Sequence, residues 1–73
     1  MFLEDDDLRI CTQFVRKEMS KKRVTVNEDI LKEITQDIMN ITYAKGGGTR
    51  DDFQGFAKGY IEHELYKKIL KDK

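Results

Sequence analysis

Apolar positions fall into three amphipathic stretches, separated by a β-branched stretch and a run of glycines. Leu8, Cys11, Val15 and Met19 recur at spacings of three and four, widened by Ile10 and Phe14. That spacing places them on one face of a helix over residues 6–20. Ile30, Leu31, Ile34, Ile38 and Ile41 fall within an arc of about 100° at helical pitch and predict a second helix over 26–44. Thr35 and Thr42 extend one margin of that arc, while Glu28, Asp29, Glu33 and Asp37 make the other side acidic. Phe53, Ala57, Ile61, Leu65 and Ile69 recur every four residues and predict a third helix over 50–70. A row of that spacing drifts about 40° per step, so it winds around the helix instead of forming one narrow stripe. Phe56 and Tyr60 flank the row early, and Tyr66 and Leu70 lie on another face near its end.

The breaks and caps agree with this division. Thr49-Arg50-Asp51-Asp52 has the form of a capping box, with Asp in place of the usual longer Glu or Gln. Thr25-Val26-Asn27-Glu28 is a second box, with Asn27 as a competing cap. An aspartate of the run Glu4-Asp5-Asp6-Asp7 is the expected start of the first helix. Lys45-Gly46-Gly47-Gly48 ends the second, because glycine takes the left-handed conformation that closes a helix. The segment 24–26 is β-branched and reads as a short extended connector, since one strand without a partner is not a sheet. The expected fold is an all-α, compact three-helix bundle forming a single domain over residues 1–73. Short connections favour antiparallel neighbours.

Composition narrows the functional classes. A chain of 73 residues has a small core and is marginal unless well packed or self-associated. One cysteine rules out an internal disulfide, and one cysteine with one histidine offers no zinc site. No cofactor or metal is expected. Charged residues make up 38% and sum to zero, which argues against a protein that coats nucleic acid. There is no long apolar run and no basic-then-apolar leader, so a cytoplasmic location without membrane insertion is expected. Lysine outnumbers arginine ten to four and isoleucine is frequent, a codon bias that suits an AT-rich bacterial or phage genome.

Candidate chemistry is sparse. Cys11 falls on an apolar helix face, where an inert thiol is expected, and His63 has no reason to lie beside it. No nucleophile–base pair can be placed, so no enzyme is expected. The glycine run, flanked by Lys45 and Arg50, is an alternative anion site. It lacks the Gly-Lys-Ser/Thr ending of a phosphate loop, and Asp51 and Asp52 would repel the anion.

The apolar excess of the last helix is the strongest functional signal. It points to a non-enzymatic protein-binding module, such as a small regulator, inhibitor or assembly factor, whose partner is another protein or a second copy. Tyr60, Tyr66, Ile69 and Leu70 are the expected anchors. Gly55 and Gly59 cost a helix roughly 1 kcal/mol each relative to alanine and would form a face for close approach. The alternative is a small DNA-binding regulator. Arg16, Lys17, Lys21, Lys22 and Arg23 are the one pronounced basic cluster and would contact phosphates or an acidic partner. A reading helix starting near Arg50 fits a helix-turn-helix, but would bring Asp51 and Asp52 to the groove.

Overall fold

Helix α1 spans Asp5–Lys21, α2 Glu28–Ala44, α3 Arg50–Glu62 and α4 Lys67–Lys71 in the computed structural model, which describes residues 5–71. The first three pack each against the other two, making an all-α three-helix bundle with no strand among the described residues. Two contacts fix the direction of α3 relative to α1. Arg50 Nε lies 3.1 Å from Asp7 Oδ1 at the two N-termini, and Lys22 Nζ donates to Glu62 O at 3.0 Å at the two C-termini. These helices are therefore parallel. Helix α2 runs against both, as the ion pair between Arg16 and Glu28 requires.

The core follows the periodic positions. Cys11, Val15 and Met19 come from α1, Leu31, Ile34, Ile38 and Met39 from α2, and Phe53, Ala57, Tyr60 and Ile61 from α3. Thr35 and Thr42 are fully buried within this cluster. Each satisfies its hydroxyl on the carbonyl four residues back, Leu31 O at 2.9 Å and Ile38 O at 2.8 Å. A buried threonine with its hydroxyl satisfied behaves here as a core residue.

The caps decide the boundaries. Asn27 Oδ1 accepts from Ile30 N at 2.9 Å, so Asn27 is the N-cap and α2 starts at Glu28, two residues later than the periodicity suggests. The connector 24–26 is irregular, and Val24 and Val26 tuck against the core. Thr49 and Asp52 form the expected capping box. Asp5 and Asp7 of the acidic run lie inside α1, whereas Glu4 lies outside the described residues.

All three long helices end in the same paired closure, in which a left-handed residue lets two backbone N–H groups return to the last turn. In α2 the left-handed residue is Gly46, at φ 83°; Gly47 N reaches Thr42 O at 2.8 Å and Gly46 N reaches Tyr43 O at 3.0 Å. In α1 it is Arg23, at φ 61°, with Val24 N on Met19 O at 3.0 Å. In α3 it is Glu64, at φ 58°, with Leu65 N on Tyr60 O at 2.9 Å. The third closure overturns the expectation of one helix from 50 to 70. The chain turns through 63–66 and folds back as α4, whose backbone lies against α2 alone among the helices.

Candidate functional site

The turn at Glu64 redistributes the apolar residues of the last stretch. Tyr66 follows the turn and is carried into the bundle, where it is 2% exposed. Tyr60 is equally buried, and Ile69 and Leu70 are half-buried against the same core. The two tyrosines expected to anchor a partner are thus covered by the chain itself. Leu65, which belongs to the same winding four-residue row as Phe53 and Ile61, is 45% exposed at the corner between α3 and α4. Nothing in the periodicity marks it; its exposure follows from the left-handed residue just before it.

Tyr60, Asp37 and Lys68 join α3, α2 and α4 at one point. The Tyr60 hydroxyl donates to Asp37 Oδ2 at 2.6 Å, and Lys68 Nζ reaches the same oxygen at 2.9 Å. The Lys68 ammonium also stands 5.9 Å from the Tyr60 ring centroid, within cation–π range. Desolvation is the largest single influence on Asp37 and raises its pKa, but the hydrogen bonds from Tyr60 and Lys68 and the Lys68 charge together leave it below 3.8. Burial, then the Asp37 hydrogen bond and charge, push the Tyr60 phenol well above 10.0. The cluster is a structural clamp with a carboxylate held ionised and a phenol held neutral. An open groove beside it is lined by Glu33, Asp37, Asn40, Lys68 and Ile69.

The two glycines of α3 are open. A Cβ built on Gly55 or Gly59 would meet nothing within 4 Å, so neither is required by packing inside the chain. Gly47 is the contrary case, since its Cβ would meet Thr42 Cγ2 at 2.7 Å and Thr42 O at 3.1 Å.

The basic cluster is largely engaged. Arg16 pairs with Glu28, Lys21 with Glu18 at 2.8 Å, and Lys22 with the Glu62 carbonyl. Lys17 and Arg23 project on the exposed surface. The glycine joint is also occupied, by the protein's own carboxylate. Asp52 Oδ2 accepts from Gly48 N at 2.9 Å and Thr49 N at 3.2 Å, where an incoming anion would need those donors. The Gly48 N–H first, and then Thr49, hold the Asp52 carboxyl below its ordinary value.

Cys11 and His63 do not meet as a reactive pair: Cys11 is 2% exposed inside the core, and His63 is an exposed C-cap of α3. Burial first, and then the Asp7 charge, push the thiol up to about 11, opposite to the shift that activates a nucleophile. Among the described residues no group of three or more His, Cys, Asp or Glu side chains is placed to hold a metal ion. No helix there is long and apolar enough to cross a membrane. Comparison with protein-family models, with curated proteins and with solved structures finds no match to this chain.

Proposed function

We propose that the chain is a non-enzymatic protein-binding module, a small regulator, inhibitor or assembly factor, that acts through its C-terminal stretch and takes another protein or a second copy as partner. The observation that carries this reading is Leu65. A large aliphatic side chain is 45% exposed on a corner held by two backbone hydrogen bonds, and Ile69 and Leu70 of the helix that follows are half-buried. A large aliphatic side chain left in water is surface that a partner would cover. The open face of Gly55 and Gly59 lies on α3, ten and six residues before Leu65.

The DNA-binding reading has less support. Three members of its basic cluster are spent on contacts within the chain, and the first turn of α3 carries Asp51 and Asp52 after Arg50. The first test is the solution mass by light scattering over a range of concentration and salt, for the native chain and for Leu65→Lys. A dimer, or a complex with a captured partner, that Leu65→Lys abolishes while the circular dichroism stays native supports the proposal. Association that Leu65→Lys leaves intact, or tight duplex DNA binding that weakens steeply with salt, overturns it.

A further inference from the structure

The segment after Glu62 has two incompatible descriptions, and both are physically grounded. Its sequence is that of a continuous helix: residues 60–71 contain no glycine or proline, and good helix formers run across the turn. Its structure is a fold-back, at a hinge where the non-glycine residue Glu64 holds φ 58°. A left-handed conformation costs a residue with a Cβ energy that a straight helix would return. The fold-back is held by what lies beyond the hinge: buried Tyr66, half-buried Ile69 and Leu70, and the contact of Lys68 with Asp37 at 2.9 Å. A second copy carries the same acceptor surface and the same segment.

We propose that residues 63–71 are an exchangeable arm: the hinge straightens, α3 and α4 become one helix, and α4 seats on α2 of a second copy while that copy's α4 returns the exchange. This specifies, and rests on, the self-association branch of the protein-binding reading. The contacts of α4 are conserved in kind on both sides of the exchange, and the strain at Glu64 is removed twice, once in each chain. The glycines fit the same picture. On a continuous helix at about 100° per residue, Gly55, Gly59, Tyr66 and Leu70 lie within an arc of about 60°. A second copy that receives Tyr66 and Leu70 therefore comes down over the glycine face, where added Cβ atoms are absent and the surface is open. The exchange is isologous and closes as a dimer, because each chain gives and receives one arm.

The clamp between Asp37 and Lys68 supplies the test. Asp37→Lys and Lys68→Glu each set like charges against each other, both within the monomer and in their own exchanged dimer. In an equal mixture, one exchanged heterodimer restores both clamps: the native Lys68 arm of the first chain meets the native Asp37 of the second, and the Glu arm meets the Lys. Light scattering and native mass spectrometry of each variant and of the mixture, at matched concentration, should show a heterodimer in the mixture several-fold more abundant than either homodimer. A second pair of variants probes the hinge without touching the core. Glu64→Gly relaxes the fold-back and weakens a straight helix, and is expected to reduce dimer affinity at least about tenfold. Glu64→Thr, β-branched and polar, is expected to increase the dimer fraction. A mixture with no more dimer than its components, or a dimer insensitive to Glu64→Gly, overturns arm exchange. If association persists in that case and is still lost in Leu65→Lys, arm exchange falls and the protein-binding reading stands.

Discussion

The Tyr60 hydroxyl donates to Asp37 Oδ2 at 2.6 Å, and this one bond ties the C-terminal end of α3 to the middle of α2. The ring is 2% exposed, whereas the Asp37 side chain keeps 26% exposure, so the bond has a dry end and a wet end. Tyr60→Phe keeps the packing and deletes the donor. A hydrogen bond to a charged group contributes about 1.5–3 kcal/mol, and water reaching Asp37 places this one near the lower end. Urea denaturation should show a loss of about 1.5 kcal/mol with an unchanged slope.

The same cluster makes the C-terminal end sensitive to acid. Asp37 has its folded pKa depressed below 3.8, so its contribution is fully present above 3.8 and is lost as pH falls through the folded value. The groups facing it are Tyr60 on α3 and Lys68 on α4. The expected result is loosening of α4 below about pH 4, read as increased amide exchange at 66–71, with Asp37→Asn showing that loosening already at neutral pH. Exchange at 66–71 independent of both pH and the Asn substitution would remove the clamp from the account.

Cys11 gives the opposite limb. Its folded pKa is raised from 9.0 to about 11, so the thiol contributes stability that is complete below pH 9 and disappears as pH rises to about 11. The sign follows from burial, which penalises the thiolate. Cys11→Ala lowers stability at pH 7 by opening a small void, and it should flatten the alkaline fall between pH 9 and 11. Thermal melts of both proteins across that range separate the two effects. An equal alkaline slope in Cys11→Ala would assign the fall to another group.

The left-handed residues are where the sequence was least legible. Gly46 announces itself, since a glycine after a periodic segment is the expected helix stop, and the stop is there. Thr49 with Asp52 was equally readable, because a capping box is made of neighbours. Arg23 and Glu64 adopt the same conformation without a glycine, for a reason that is tertiary. The turn at Arg23 swings Val24 onto the core, and the turn at Glu64 delivers Tyr66 into it. Burying an aromatic ring contributes about 2–3 kcal/mol, more than the cost of about 1–2 kcal/mol for one left-handed residue. Local propensity therefore predicted a continuous last helix, and packing broke it. Of the winding row, Phe53, Ala57 and Ile61 lie before the break and are buried, whereas Leu65 lies beyond it and is exposed.

Arg23→Gly follows from that balance. It leaves the closure at the end of α1 intact, with Val24 N on Met19 O, and removes the Cβ strain at φ 61°. Part of the gain is offset by the greater freedom of glycine in the unfolded chain. A net stabilisation of about 0.5–1 kcal/mol is expected in chemical denaturation. Destabilisation would mean that the Arg23 side chain makes a contact that outweighs the strain.

The glycines separate by what surrounds them. Gly47→Ala forces a Cβ to 2.7 Å from Thr42 Cγ2 and 3.1 Å from the Thr42 carbonyl oxygen, and the backbone cannot yield cheaply. A loss of about 1–3 kcal/mol is expected. Gly55→Ala and Gly59→Ala put a methyl into open space within a helix and should each stabilise the monomer by about 1 kcal/mol. Packing within the folded monomer does not require either glycine. If their role is a partner's close approach, both substitutions raise the melting temperature of the dilute chain while weakening its association, so the two readouts move in opposite directions. Melting curves at low concentration, paired with sedimentation equilibrium at high concentration, provide both. Stabilisation with unchanged association would show that the glycine face receives nothing.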